Sequence, residues 1–309
     1  MKLTHLRDVA AVAERGSLRA AARYLGVTQP AITRSIREIE RELGVALFER
    51  RPKGVVLTPM GELFLRRAVS VMGEVRRARE EIDQARGLST GQVAVALSSA
   101  AQIALLPHVL PGFRKRYPEV VLSIRAGLFP ATETPLKDGE LDFYVGPLPE
   151  TATAKDFIVE TLFENTRVIM GRHGHPLAGA TSLAELTGAR WISTAVTVDS
   201  RAEFGPLFER YGLPEPVVEM HVESGIAPTL AAASTDLLIM VPEQWLGFAY
   251  APQMLIPFQI REPLPAAAIC MVTRARLPLT PAAEHLGDLF RRAAMHYVRA
   301  REQRQHSAP

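Results

Sequence analysis

The sequence predicts a mainly helical head with one β-hairpin, then a single long helix, then an α/β module that occupies the rest of the chain. Three observations lead to this division. Residues 1–58 combine short helical patterns with an excess of basic side chains, residues 59–90 contain no strong helix breaker until their glycine-rich end, and strand and helix patterns alternate from residue 91 onward. With 309 residues and 47% hydrophobic composition the chain can bury more than one core, so we expect two or three domains.

The net charge of +3 conceals an asymmetry along the chain. Residues 1–60 hold eleven Lys or Arg against six Asp or Glu, a net of +5, whereas residues 91–309 hold nineteen against twenty-two, a net of −3. A basic head on a mildly acidic body predicts that a polyanion binds the head and that the body has a different partner.

Several functional classes are disfavoured by composition. No run of eighteen uncharged apolar residues and no apolar leader occurs, so we expect a soluble cytoplasmic protein. The single cysteine, Cys270, lies in an apolar strand pattern and is expected to be an inert buried thiol. His173 and His175 are expected in a solvated turn, because no third ligand follows nearby. We find no reactive constellation or phosphate-binding motif, and therefore predict no enzyme activity, no cofactor and no metal.

Three short amphipathic helices are predicted in the head. The apolar stripes of the first two are Leu6, Val9, Ala10 and Ala13, and then Leu18, Ala21, Ala22 and Leu25. The third helix begins near Gln29, and its apolar stripe is Ile32, Ile36, Ile39 and Leu43.

The junctions between these helices carry capping and turn signals. Ser17 and Thr28 can cap the second and third helices, Gly26 permits positive φ between them, and Pro30 suits a first helical turn. Two helices joined by a short turn containing glycine, with small alanines at their contact, predict a helix-turn-helix.

One face of the third helix is polar and basic. Gln29, Thr33 and Arg37 stack opposite the apolar stripe, with Pro30, Arg34 and Arg41 beside them. Gln and Arg side chains can make bidentate contacts to adenine and guanine in a major groove. We therefore predict DNA contacts from Ser17, Thr28, Gln29, Pro30, Thr33, Arg34 and Arg37. The alternative is a solvated face on a small helical bundle.

A hairpin follows the third helix, with strands at Phe48 to Arg50 and Val55 to Leu57 around a turn at residues 52–54. Basic residues at such a tip commonly contact phosphate or a minor groove. Arg50, Arg51 and Lys53 are therefore predicted to form a DNA-binding wing, and a solvated turn is the alternative.

The long helix is predicted to begin after the cap Thr58 and to run to about Arg86, roughly 42 Å at 1.5 Å per residue. Its apolar residues follow alternating steps of three and four, which is typical of a coiled-coil seam. The seam comprises Leu65, Ala68, Met72, Val75 and Ile82, with Arg79 as the one interruption between the last two. Because so narrow a stripe would stabilise an isolated helix poorly, we predict dimerisation through it; packing along the chain's own α/β module is the alternative.

Strands and helices alternate after the glycine-rich hinge at residues 87–91. Strands are predicted at residues 92–97, 120–126, 141–146, 166–170, 191–193, 217–221, 237–241 and 266–272. Helices are predicted at residues 103–116, 132–138, 201–211, 226–233 and 281–301. This alternation predicts parallel α/β sheets.

The stretch "GSLRAAARYLGVTQPAITRSIREIERELGVALFERRPKGVVLTPMGE", residues 16–62, resembles the winged helix-turn-helix of the LysR-type transcriptional regulators. The resemblance continues more weakly through "RYPEV" at residues 116–120 and "LKDGELDFYVG" at residues 136–146. This chain departs from the family pattern at Thr28 and Thr33, where serine is usual, at Ile39 for leucine and at Met60 for alanine. Threonine keeps the hydroxyl, so a phosphate contact survives.

The resemblance implies a complete domain plan. Residues 1–58 would form the winged helix-turn-helix and residues 59–90 the linker and dimerisation helix. A periplasmic-binding-protein-like effector module would follow, with subdomain I at residues 91–162 and 267–309 and subdomain II at residues 163–266. The resemblance also implies a homotetramer built as a dimer of dimers, with RNA polymerase as a further candidate partner.

An effector site is predicted where α/β proteins bind ligands, outside the carboxyl ends of strands. The candidate residues are Ser98, Ser99, Gly127, Phe129, Thr132, Phe143, Gly146, Thr197, Ser224 and Gly225. Serine hydroxyls there can bind a carboxylate or sulfonate, while Phe129 and Phe143 could stack on a ring. The alternative for each serine is a plain helix cap.

These observations together predict a LysR-type regulator that binds double-stranded DNA at a dyad-symmetric operator and responds to a small organic effector, with an aromatic acid favoured over a sugar or amino acid. Two alternatives stay open. A periplasmic-type solute-binding protein would share the body but leaves the basic head unexplained. A constitutive DNA-architectural protein would not need so large an α/β body.

Overall fold

The computed structural model describes residues 1–52, 54–148, 156–194, 200–222, 226–248 and 251–306. These residues form two compact units. The head unit comprises Met1–Leu88 together with Pro135–Leu141, and the α/β unit comprises Ser89–Thr134 together with Asp142–Pro309.

The head unit contains the three short helices, the hairpin and the long helix that the sequence predicts. Its elements are α1 (Leu3–Arg15), α2 (Leu18–Leu25), α3 (Gln29–Leu43), β1 (Phe48–Arg51), β2 (Gly54–Leu57) and α4 (Pro59–Ala85). The shared core contains Val9, Val12, Ala21, Ile32, Ile36 and Ile39.

Two details of the predicted apolar stripes are wrong. Helix α1 contacts α2, α3 and α4, so its buried face is broad and includes Ala11 and Val12, whereas Ala10 and Ala13 are only half-buried. Leu43 is 39% exposed. It is the last residue of α3, and Gly44 then turns the chain through a left-handed conformation, so that Leu47 is the next apolar side chain to be buried.

The α/β unit contains nine strands and seven α-helices among its described residues. Its strands are β3 (Gln92–Leu97), β4 (Val121–Ala126), β5 (Phe143–Pro147), β6 (Phe157–Arg172), β7 (Arg190–Ser193), β8 (Val217–His221), β9 (Leu237–Pro242), β10 (Leu255–Pro257) and β11 (Pro265–Arg274). Its helices are α5 (Ser99–Ala104), α6 (Leu106–Arg116), α7 (Glu133–Lys137, which continues into the head unit), α8 (Ser200–Arg210), α9 (Ala227–Ser234), α10 (Ala251–Met254) and α11 (Pro281–His306), with short 3₁₀ helices at Leu183–Leu186 and Glu243–Gly247.

The sheet is mixed rather than parallel, which corrects the sequence prediction. Its order is β4-β3-β5-β11-β6-β9-β7-β8, with β10 paired to β6. Two groups of parallel strands, β4-β3-β5 and β9-β7-β8, lie on either side of the antiparallel pair β11 and β6. The sheet is mixed because the chain crosses between the groups in β6 and returns beside it in β11.

These two groups of strands define two subdomains with separate cores. The partner of β6 changes from β11 at Thr166 to β9 at Arg167. The core of subdomain I includes Phe113 and Phe290, and one core of subdomain II is built around Trp191. A site at the carboxyl ends of β3 and β7 would therefore be flanked by two bodies joined by the two crossing strands.

Three predicted elements have different bounds. The helix expected at residues 103–116 begins at Ser99 and is divided at Leu105, because Pro107 opens α6. Strand β6 begins nine residues before the predicted Thr166. Helix α11 continues to His306.

Candidate nucleic-acid interface and effector cleft

The turn between α2 and α3 is built from local capping. The hydroxyl of Ser17 accepts a hydrogen bond from Ala20 N at 3.2 Å, and that of Thr28 accepts one from Ala31 N at 3.4 Å. Gly26 adopts a φ of 66°, in the left-handed region. The first turn of α3 is thereby fixed by its own cap, since Ala31 N and Ile32 N also donate to the Thr28 carbonyl oxygen.

The polar face of α3 forms one shallow concave surface, which we call the recognition surface. It is lined by Gln29, Pro30, Thr33, Arg34, Arg37, Glu38 and Arg41. Arg34 and Arg37 are exposed and make no ion pair with any residue that the structure describes. All six side chains predicted for this face lie on the surface, and Glu38, which the sequence analysis missed, lies among them.

The wing is a two-stranded hairpin in which Arg51 pairs with Gly54. Gly54 has a φ of 141°, and a Cβ there would lie 2.3 Å from the carbonyl oxygen of Gly16, so the wing can approach the turn before α2 only with glycine at this position. Arg51 forms an ion pair with Glu49 at 2.9 Å, whereas Arg50 is exposed. Lys53, the third predicted wing residue, lies outside the described residues.

Two residues that hold the wing and α4 against the head were not predicted. Oε1 of Glu40 accepts hydrogen bonds from Leu47 N at 2.8 Å and from Phe48 N at 3.2 Å, which caps the start of β1. A Cβ at Gly61 would lie 2.0 Å from the carbonyl oxygen of Leu47, so glycine is required where α4 crosses the chain.

Helix α4 presents an apolar row that differs from the predicted seam. Leu65 packs on the head core and Ala68 is buried, so these two predicted seam residues are not available to a second chain, while Met72 and Val75 are both half-buried. Val71, Ala78, Ile82 and Ala85 are exposed and, together with Val75, follow steps of three and four along one side of the helix. Val75 and Ile82 therefore belong both to the predicted seam and to this row, whereas Val71 takes the place of Met72.

The predicted effector residues of subdomain I come together at the carboxyl ends of β3, β4 and β5. Ser98 is 3% exposed, and its hydroxyl caps α5 by accepting from Ala101 N at 3.3 Å. Ser99 is half-buried, and its hydroxyl accepts a hydrogen bond from the indole N–H of Trp245 at 3.3 Å. Ser98 thus fills the plain capping role, while Ser99 contacts subdomain II.

The loop after β4 lies beside these serines. Gly127 N donates to Leu97 O at 3.3 Å, and a Cβ at Gly127 would meet the Thr132 methyl group at 2.9 Å. Thr132 is buried, and its Oγ1 has no hydrogen-bond partner among the described residues. An unpartnered buried hydroxyl next to the carboxyl ends of the strands is available to a ligand.

Two adjacent aromatic residues on β5, Phe143 and Tyr144, have different surroundings. Phe143 is fully buried and packs edge-on against Phe290, so the predicted stacking of Phe143 on a ligand ring is wrong. Tyr144 lies on the other face of β5, with ring centroids 5.1 Å from Phe129. Its hydroxyl donates to Pro147 O at 3.0 Å, and burial raises the pKa of the phenol, which keeps it a neutral donor.

Only glycine fits at position 146, beside the phenol of Tyr144. A Cβ at Gly146 would lie 2.2 Å from the Tyr144 hydroxyl and 2.8 Å from Ser98 Cβ. The contacts therefore connect Ser98, Gly146, Tyr144 and Phe129 into one group, which with Ser99, Gly127 and Thr132 we call the effector cluster.

In subdomain II, the hydrogen-bond donors at the end of β7 are already paired with the carboxylate of Glu203. Glu203 accepts from the hydroxyl of Ser193 at 2.5 Å and from Thr194 N at 3.1 Å. These groups are thus already satisfied without a ligand. Thr197, Ser224 and Gly225, which complete the predicted site, lie outside the described residues.

Cys270 and His175 both have structural roles. Cys270 is buried in β11, and burial raises the pKa of its thiol, as expected for an inert cysteine. His175 is buried rather than solvated: Nδ1 accepts from Leu177 N at 3.0 Å, and Nε2 lies 3.1 Å from Asp236 O. Within the described residues, no group of three or more His, Cys, Asp or Glu side chains could hold a metal ion, and no helix is long and apolar enough to span a membrane.

Two family models match this chain. The LysR substrate binding domain matches residues 86–295, and the bacterial regulatory helix-turn-helix protein of the lysR family matches residues 3–62. The chain belongs to the LysR family. The resemblance inferred from residues 16–62 and the predicted fold class are therefore confirmed.

Relatives and solved structures of LysR regulators agree with this assignment. The regulator BudR of Raoultella terrigena is 33% identical over 260 residues, which cover 82% of this chain and 86% of BudR. The regulator TdcA of Escherichia coli K12 is 27% identical over 290 residues, covering 93% and 92%. The structure of full-length CbnR complexed with its target DNA shares the fold, with a TM-score of 0.71 and 23% identity over 95% of this chain and 100% of that chain.

This LysR-type chain is a DNA-binding transcriptional regulator with a substrate-binding domain, and not an enzyme. The recognition surface belongs to the first matched domain and the effector cluster to the second.

Proposed function

We propose that this regulator binds a dyad-symmetric operator as a dimer, reads bases with the recognition surface and responds to a small organic acid held at the effector cluster. The observation that carries the proposal is the recognition surface itself. Arg34 and Arg37 are exposed on the second helix of a helix-turn-helix and are not neutralised by any described acidic residue. Unpaired guanidinium groups in that position fit the guanine edge of a major groove.

Backbone contacts would position this helix. Thr28 and Ser17 lie at the starts of α3 and α2, where helix N-termini favour phosphate. Arg50 is the described wing residue best placed for the same role, because Arg51 is paired with Glu49. These contacts set the register of the protein on DNA and carry little sequence information.

Dimerisation is supported by the outward row on α4. Val71, Ala78 and Ile82 are exposed at coiled-coil spacing, and exposed apolar rows on a long helix are stabilised by pairing. Two-fold pairing would present two heads to a palindromic site.

A dimer of dimers needs a second surface on each chain. The edge strands of the sheet supply one, because β4 exposes Val121 and Ile124 while β8 exposes Val217 and Met220. Pairing of these edges between chains would cover backbone groups that are otherwise open.

The proposed chemical class of the effector follows from the hydroxyl groups that can donate hydrogen bonds at the effector cluster. The hydroxyl of Ser99 accepts from Trp245 and so has its own proton free to donate to a carboxylate or sulfonate. The hydroxyl of Thr132 is a second candidate donor, and Phe129 provides an apolar wall for an aromatic acid. Because Ser99 and Trp245 belong to different subdomains, a ligand there would change their closure about β6 and β11, and with it the spacing of the two heads.

Substitutions on the head test base reading directly. Gln29→Ala and Arg34→Ala are expected to cost about 1–3 kcal/mol on duplexes that the wild-type protein selects from a random pool. On unrelated DNA the loss should be smaller for Arg34→Ala, where only the charge is removed, and close to zero for Gln29→Ala. Lys53→Ala is expected to weaken binding to all sequences about equally. Binding constants measured at one salt concentration decide the matter, and equal losses on every duplex for all three variants would remove the base-reading role.

A further inference from the structure

A carboxylate interrupts the basic recognition surface. Glu38 lines it together with Arg34, Arg37 and Arg41, and its side chain is 39% exposed. A negative charge facing DNA is repelled by the phosphates, so its presence lowers affinity for every sequence. It benefits binding only if it hydrogen bonds to a base.

The position of this carboxylate is fixed from inside the head. Oε2 of Glu38 lies 3.4 Å from Nε2 of His5, which belongs to α1 and is 7% exposed. His5 Nδ1 has no hydrogen-bond partner among the described residues, so this ring makes its one described polar contact with Glu38. A carboxylate held by a buried ring is pre-organised for a directional contact.

Glu42, one turn further along α3, is a natural comparison. Its carboxylate accepts from the N-terminal ammonium of Met1 at 2.7 Å, and it does not line the recognition surface. Both side chains carry the same charge on the same helix, but only that of Glu38 faces the surface proposed to enter the groove.

Spacing along the helix sets where Glu38 would reach. Pro30, Arg34 and Glu38 recur every four residues and so form one ridge. Glu38 lies four residues, about 6 Å along the helix axis, beyond Arg34, which corresponds to one or two base pairs at about 3.4 Å each.

We propose that Glu38 is a specificity residue that accepts a hydrogen bond from the N4 amino group of a cytosine in the half-site. Cytosine presents only this donor on its major-groove edge, whereas adenine places the acceptor N7 beside its amino group, which would repel a carboxylate. The inference rests on the proposed base reading by α3 and adds a named base preference to it.

The test uses the full-length protein and a pool of random-sequence duplexes, from which bound molecules are recovered and sequenced. Wild-type protein is expected to enrich a cytosine one or two base pairs from the position whose preference Arg34→Ala abolishes. Glu38→Ala is expected to lose about tenfold of that discrimination while binding unrelated DNA more tightly. Glu38→Gln, which is nearly isosteric, is expected to shift the preference toward adenine, because Gln pairs with adenine N6 and N7.

Glu42→Gln removes the same charge and is the matched control. It is expected to raise affinity for all DNA slightly and to keep the cytosine preference. If Glu38→Ala and Glu38→Gln enrich the same motif as wild type, Glu38 acts only as a partner of His5 and the inference is wrong. If wild-type protein enriches no motif, base reading by α3 fails as well, and the two failures are thereby distinguished.

Discussion

The indole N–H of Trp245 donates to the hydroxyl of Ser99 at 3.3 Å, and this hydrogen bond joins the two subdomains of the effector module. Ser99 begins α5 in subdomain I, and Trp245 lies in the 3₁₀ helix after β9 in subdomain II. The two short helices pack against each other, and Ile103 of α5 packs on a subdomain II core. A ligand that binds Ser99 therefore acts on a contact that both subdomains share.

Ser99→Ala is expected to abolish stabilisation by an acidic effector and to leave operator affinity unchanged. Thermal unfolding against aromatic carboxylates, sulfonates, aliphatic acids and amino acids provides the measurement, because a ligand at about one hundred times its dissociation constant adds roughly 2.7 kcal/mol. Trp245→Phe is the control: it removes the indole donor but leaves the serine proton free, so its response should persist. Stabilisation that survives in a Ser98→Ala/Ser99→Ala variant would place the acid elsewhere.

Val71→Lys is expected to weaken the dimer formed through α4 by about two orders of magnitude. Each dimer would lose the burial of two valines, roughly 1.5 kcal/mol each, and two lysines would face each other across the seam. Sedimentation equilibrium of the full chain measures the change. Arg66→Ala, which alters an exposed residue on another side of α4, should leave the dissociation constant near that of wild type; a dimer indifferent to Val71→Lys would rule out the row as the interface.

Gly146→Ala is expected to destabilise the α/β unit by about 1–3 kcal/mol, because the added Cβ would displace the Tyr144 phenol and press on Ser98. Gly188→Ala is the matched control. Gly188 is exposed, with nothing close to an added Cβ, so alanine there should change stability by less than about 0.5 kcal/mol. Urea unfolding monitored by tryptophan fluorescence separates the two, and similar behaviour of both variants would contradict the packing around Tyr144.

The head could be predicted in detail because its signals are local. Ser17 and Thr28 each accept from a backbone amide three residues later, and the glycine and proline of the turn act within the same few residues. Their roles therefore depend on sequence neighbours alone. The roles of Glu40 and Gly61 could not be predicted in the same way, because the residues they contact, Leu47 and Phe48, become neighbours only when the wing folds back.

The effector cluster was predicted less well, since strand position does not decide which side chain faces a ligand. Phe143 and Tyr144 are adjacent on β5 and point to opposite faces. Phe143 is buried because α11, far along the chain, brings Phe290 onto its face. The crossing of β6 likewise depends on β11, about a hundred residues later, which is why the alternating pattern suggested a parallel sheet.

Gln244→Leu is expected to loosen the connection between the subdomains at a cost of about 1–3 kcal/mol. The buried amide of Gln244 donates to Asn165 Oδ1 on β6 at 3.1 Å and to the Tyr297 hydroxyl on α11 at 2.9 Å, so its loss leaves a buried acceptor without a donor. Replacing Asn165 as well should cost less than the sum of the two single changes, because the unpaired acceptor is then absent. Chemical unfolding of the two single variants and the double variant measures this coupling. The control is Glu160→Gln, which breaks the surface ion pair with Arg291 and should change stability by less than about 1 kcal/mol. If Gln244→Leu and Glu160→Gln had equal effects, the buried amide would not hold the crossing strand in place.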